Sequence, residues 1–71
     1  MIHKTAIIHK NAKISKNVEI GPYSIVGPEV EIDENTIIHS HVNLSGNTKI
    51  GKNNQIFPFS SIGTPPQDLK Y

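Results

Sequence analysis

The sequence predicts an all-β fold: a parallel β-helix built as a hexapeptide-repeat solenoid, with three hexads per coil and just under four coils in 71 residues. Three observations predict it. Every sixth residue across 2–62 is a branched aliphatic: Ile2, Ile8, Ile14, Ile20, Val26, Ile32, Ile38, Leu44, Ile50, Ile56 and Ile62. A helix repeats near 3.6 residues and a strand near 2, so neither asks for six. Six residues make one short flat and one corner. The fifth place of the hexad is small or β-branched almost throughout (Ala6, Ala12, Val18, Ser24, Val30, Thr36, Val42, Thr48, with Asn54 the exception, then Ser60), which suits a second inward position on a pleated wall. Finally, Asn11, Asn17, Asn35, Asn47 and Asn53 share the fourth place and Gly21, Gly27, Gly51 and Gly63 the second. Asn and Gly tolerate positive φ and self-bonded turns, so these places read as corners.

The coils follow in order. Three hexads close a triangular turn, so residues 18 apart stack one strand spacing (~4.8 Å) apart. Ile2, Ile20, Ile38 and Ile56 then form one inward column, Ile8, Val26, Leu44 and Ile62 a second, and Ile14, Ile32 and Ile50 a third. The first coil carries Lys4, Lys10, Lys13 and Lys16, a solvated outer surface able to attract an acidic partner. In the second, Gly21-Pro22 and Gly27-Pro28 are corner signals; no helical period follows them, so they are not phosphate loops. Thr5, Tyr23, His41 and Phe59 share an outer column, an aromatic ladder on one corner. In the last coil Phe57, Pro58 and Phe59 form an apolar cluster, read as a subunit contact, part of an apolar ligand groove, or packing on the neighbouring aromatic corner. Pro65-Pro66 then breaks the frame, and Asp68 falls where an aliphatic belongs. Periodicity does not set the hand of the coil.

Composition bounds the function. The chain has no cysteine, so neither disulfides nor thiolate chemistry. No stretch reaches the ~18 apolar residues of a membrane span, and the N-terminus lacks a secretory layout, which favours the cytoplasm. A net charge of +1, with seven lysines and no arginine, argues against nucleic-acid binding. His3 and His39 are two rungs apart, about 10 Å, with Gly21 between them, so no metal site is expected. His39 and His41 face outward around one corner. The four threonines fall in three frame places, unlike the ranked threonines of an ice-binding face.

The tract I-G-T-P-P-Q-D-L-K-Y (62–71), with the opening I-H-K-T-A-I-I-H-K-N-A-K-I and the central I-G-P-Y-S-I-V-G-P-E-V-E-I, resembles the UDP-N-acetylglucosamine O-acyltransferases of lipid A biosynthesis. The hexads are shared by many sugar acyltransferases; the Q-D-L-K-Y tract is the specific part. The resemblance implies a left-handed β-helix, a C-terminal helical domain, and a homotrimer with active sites between neighbouring β-helices. It implies transfer of an (R)-3-hydroxyacyl group from acyl carrier protein to the 3-hydroxyl of UDP-N-acetylglucosamine, without a cofactor or metal, with a histidine as general base. It further implies that Gln67, Asp68 and Lys70 line the substrate cleft, Asp68 accepting hydrogen bonds from the sugar and Lys70 donating to anionic or polar groups. None of His3, His9, His39 and His41 matches the family's catalytic motif. Residues 1–71 are therefore expected to be the N-terminal portion of a longer β-helix domain, inactive by themselves, with an open upper end that self-associates. Two other readings stand beside this one: a structural or trimerisation stub, and another hexapeptide acyltransferase such as the N-acyltransferase of the same pathway. The Q-D-L-K-Y tract argues against the latter.

Overall fold

The computed structural model describes residues 1–63. Ten two-residue strands recur every six residues: β1 (Ile7–Ile8), β2 (Lys13–Ile14), β3 (Glu19–Ile20), β4 (Ile25–Val26), β5 (Glu31–Ile32), β6 (Ile37–Ile38), β7 (Asn43–Leu44), β8 (Lys49–Ile50), β9 (Gln55–Ile56) and β10 (Ser61–Ile62). They are short because each ends at a corner. Three parallel sheets form the walls of a prism. The first face is β1-β4-β7-β10, the second β2-β5-β8, the third β3-β6-β9. Ile2 extends the third face by a parallel bridge to Ile20.

The register is 18 residues on every wall. Ile8 lies against Val26, Ile14 against Ile32, Ile20 against Ile38, and so on upward. This is the triangular coil that the hexad columns predict. Backbone bonds continue beyond the strands, as in His3 N–H to Ile20 O (2.8 Å), Gly21 N–H to Ile38 O (2.7 Å) and His39 N–H to Ile56 O (3.0 Å). Such bonds satisfy most of each coil's main chain in the next.

The core is the predicted pair of inward places. Ile20, Val26, Ile32, Ile38, Leu44 and Ile50 are buried from the first place, and Val18, Val30 and Val42 from the fifth. The end-coil members, Ile8, Ile14, Ile56 and Ile62, are only half-buried against them. Ser24 and Thr36 are fully buried too. Each hydroxyl is satisfied twice. Ser24 Oγ donates to His39 O (2.6 Å) and accepts from Val42 N–H (3.1 Å). Thr36 Oγ1 donates to Gly51 O (2.6 Å) and accepts from Asn54 N–H (3.3 Å).

The corner expectation needs correction. Positive φ does occur at Asn17, Asn35 and Asn53, but Tyr23, His41 and Phe59 hold it as well, and among the glycines only Gly46 and Gly63 do. Gly21 is required for space instead. A Cβ there would lie 2.8 Å from the carbonyl carbon of His39 and 2.9 Å from its oxygen. The glycine lets two coils approach; it does not reverse the turn.

Candidate functional site

Gln67, Asp68 and Lys70 lie outside the described residues. Their tract begins at Ile62 in β10, which is held in register against β7 by Ser61 opposite Asn43 and Ile62 opposite Leu44. Gly63 follows, with φ +80°. A Cβ on it would fall on the Ser45 carbonyl oxygen and the Thr48 hydroxyl, so only glycine fits this last described step.

The described residues carry a second candidate surface, at the corner between the third and first faces. It holds 4–5, 22–23, 40–41 and 58–59. Tyr23, His41 and Phe59 take φ of 60°, 56° and 63° there. The cause is a corner hydrogen bond: His41 N–H reaches Pro22 O (3.0 Å) and Phe59 N–H reaches Ser40 O (3.3 Å). The next corner around, between the second and third faces, makes the same bond from Asn35 to Lys16 O (3.4 Å) and from Asn53 to Glu34 O (3.0 Å). The geometry is equivalent, yet one corner uses asparagine and the other bulky aromatic rings. In the first coil Thr5 lacks positive φ, and its hydroxyl accepts from Tyr23 N–H instead (3.0 Å).

The rings form the predicted ladder. Tyr23 and His41 are 5.2 Å apart between centroids, His41 and Phe59 4.8 Å. A parallel rank runs beside it, with His39 stacked on Phe57 at 5.6 Å and its Nε2 hydrogen-bonded to Gln55 Oε1 (3.0 Å). In that rank Gly21 leaves a rung without a side chain, and a cavity of about 500 Å³ opens there, lined by His3, Glu19, Gly21, Ile37 and His39 among others.

Both aromatic ranks face solvent, as do Ile7 and Ile25 on the adjoining first face. Phe59 is 77% exposed and Tyr23 61%. The remaining exposed large apolar side chains among the described residues are Met1, Ile2 and Phe57. All seven lie on the third face, this corner or the first face. The second face and its two flanking corners have none and carry charge. The prism is amphipathic across its width, with a wet side opposite an apolar one.

The histidines act in local structure. His3 Nδ1 accepts from Thr5 N–H and His9 Nδ1 from Asn11 N–H, both at 3.1 Å, so each ties a corner. His39 and His41 sit in the stacked ranks. None of the four is paired with a carboxylate among the described residues.

A family model described as bacterial transferase hexapeptide (six repeats) matches residues 11–46. The chain belongs to that family. An acyl-[acyl-carrier-protein]–UDP-N-acetylglucosamine O-acyltransferase of Rickettsia typhi is 57% identical over 70 residues, covering 99% of this chain and 26% of the relative. The enzyme of that name from Thermodesulfovibrio yellowstonii is 56% identical, covering 99% of this chain and 27% of its own. A crystal structure of UDP-N-acetylglucosamine acyltransferase superposes with a TM-score of 0.92 at 52% identity, over 100% of this chain and 27% of that one. The hexapeptide coil is thus the left-handed β-helix of that structure. The chain spans about a quarter of the length of the curated relatives it matches.

Proposed function

We propose that this chain forms the N-terminal coils of an acyltransferase that moves an (R)-3-hydroxyacyl group from acyl carrier protein to the 3-hydroxyl of UDP-N-acetylglucosamine, the first step of lipid A biosynthesis. The observation that carries the reading is identity of 53–57% across 70 residues to several acyltransferases of that name. In this reading residues 1–71 are one portion of a single β-helix domain acting in the cytoplasm. Gln67, Asp68 and Lys70 enter the nucleotide-sugar cleft. Asp68 accepts from sugar hydroxyls, and Lys70 donates to anionic or polar groups.

The general base comes from outside these residues. A base must reach the hydroxyl it deprotonates within hydrogen-bond distance, and here His3 and His9 are committed to corners and His39 and His41 to stacking. The apolar side supports side-by-side packing of β-helices into a homotrimer, because solvent-exposed aromatic ranks gain by being covered.

A chimera tests the reading. Residues 2–71 replace the matching 70 residues of the Rickettsia typhi enzyme, and acyl transfer from acyl carrier protein to UDP-N-acetylglucosamine is followed. Transfer is expected in the chimera, none from the 71-residue chain alone, and a loss of about 100-fold in kcat/KM for Asp68→Ala in the chimera, the scale of a lost hydrogen bond to a charged group. A folded, trimeric chimera without transfer refutes the assignment.

A further inference from the structure

The aliphatic code of this chain is degenerate. Every hexad presents a branched aliphatic in its first place, so a coil that slid by six residues, pairing i with i+12 or i+24, would still stack aliphatic on aliphatic there. The structure pairs i with i+18 on all three walls. The charged residues, unlike the core, distinguish these registers.

On the second face Lys13, Glu31 and Lys49 follow one another directly in register. At the adjoining corner Lys16, Glu34 and Lys52 do the same, and the Glu34 carboxylate lies 3.8 Å from both lysine Nζ atoms. Among the described residues every charged pair 18 apart is a lysine with a glutamate. At 12 apart the pairs become Lys4 with Lys16 and Glu19 with Glu31, both repulsive, with no attraction to offset them. At 24 apart only Lys10 with Glu34 is left. Skipping a coil would set Lys13 against Lys49 and Lys16 against Lys52. Charge is therefore layered along the axis: basic in the first coil, acidic in the second, basic again in the third.

We propose that these two lysine–glutamate–lysine columns are the register device of the β-helix, selecting the 18-residue coil from the alternatives that the hexads admit. Exposed ion pairs individually add little stability. Selection needs only a difference between registers, and like charges set directly opposite are destabilising while unlike ones are favourable. The device would act while the coils are closing.

Crosslinking of the 71-residue chain tests it. The N43C/S61C pair joins positions in register on the first face, away from both columns. The N43C/Q55C pair joins positions that meet only in a 12-residue coil. Each pair is treated with a bifunctional thiol reagent too short to cross the prism, and the ratio of the two yields is the readout. Reversing the middle layer (E31K/E34K) is expected to lower the 43–61 to 43–55 ratio about tenfold, as four weak attractions become repulsions. Exchanging these six charges together with Lys4 and Glu19 (K4E/K13E/K16E/E19K/E31K/E34K/K49E/K52E) restores the alternation, keeps both 12-apart pairs repulsive and is expected to restore the ratio. The second arm separates register selection from simple failure to fold. An unchanged ratio on reversing the middle layer, or a ratio that full exchange does not recover, overturns the proposal.

Discussion

Among the described residues six other than glycine hold a left-handed backbone, and the contrast among them bears on function at the scale of single side chains. Asn17, Asn35 and Asn53 do so cheaply, since asparagine's short amide tolerates that region. For Tyr23, His41 and Phe59 the conformation costs roughly 1–2 kcal/mol each. Stacking of neighbouring rings returns about 0.5–1.5 kcal/mol per pair. Three such costs outweigh the return from two ring pairs, so the aromatic column is not explained by stability of the isolated chain. Replacing all three with asparagine is accordingly expected to leave the urea-derived unfolding free energy unchanged or to raise it by about 1–3 kcal/mol. A drop of that size instead would show that the rings hold the fold. Glycine provides the converse case. Gly21→Ala drives a Cβ into the His39 backbone, which cannot yield as a flexible side chain would, and should cost about 1–3 kcal/mol. At Gly51 the nearest atom to a new Cβ is Asn54 Nδ2 at 3.4 Å, so Gly51→Ala should be close to neutral in the same urea titration.

At the scale of elements, ten two-residue strands survive because no strand stands alone. Each wall is three or four rungs deep, and the inward places of successive coils fill one continuous core. Ser24 and Thr36 show how closely that core is specified. Both replace an aliphatic in the fifth place, and both bond across to the next coil at a corner backbone that valine would leave unpaired. Thr36→Val keeps the shape but strips Gly51 O and Asn54 N–H of this hydroxyl, and a loss of about 1–3 kcal/mol in thermal or urea unfolding is expected. An equal or higher midpoint would mean that water or a shifted coil replaces the hydroxyl. The elements themselves were legible in the sequence. The period of six placed every strand, and the 18-residue columns gave the pairing and the aromatic ladder. What stayed hidden depends on chain direction at corners, which composition does not encode. The glycines of the second place looked like turn residues, yet Gly21 serves coil-to-coil approach. The strained rings at 23, 41 and 59 occupy the place that asparagine fills elsewhere, and nothing in their identity announces positive φ. His3 and His9 carried no sign of a corner role in the sequence, although each accepts a backbone N–H. Gln67, Asp68 and Lys70 stood out through a resemblance rather than through periodicity, because Pro65-Pro66 ends the frame that made the rest readable.

For the whole molecule, the two sides of the prism have different tasks. The second face and its corners bear the alternating lysine and glutamate columns and belong in water. The opposite corner and first face bear Tyr23, Phe57, Phe59, Ile7 and Ile25, which are apolar and exposed. Hydrophobic association through that side would bury the rings that the isolated chain displays at a conformational cost, so strain in the monomer is offset in the assembly. This links the residue scale to the largest one: the aromatic column should matter little to folding and greatly to association. The expected result is concentration-dependent self-association of the 71-residue chain in sedimentation velocity, retained in high salt because apolar contact is not screened. The Tyr23→Asn/His41→Asn/Phe59→Asn variant should sediment as a monomer at concentrations where the parent associates, with its far-ultraviolet circular dichroism unchanged. In the acyltransferase chimera the same three substitutions should lower both trimer content and activity together, and raising the protein concentration should recover both. If the variant associates as the parent does, the apolar side is not the contact surface. If association instead disappears in salt while the rings are intact, the charged side makes the contact.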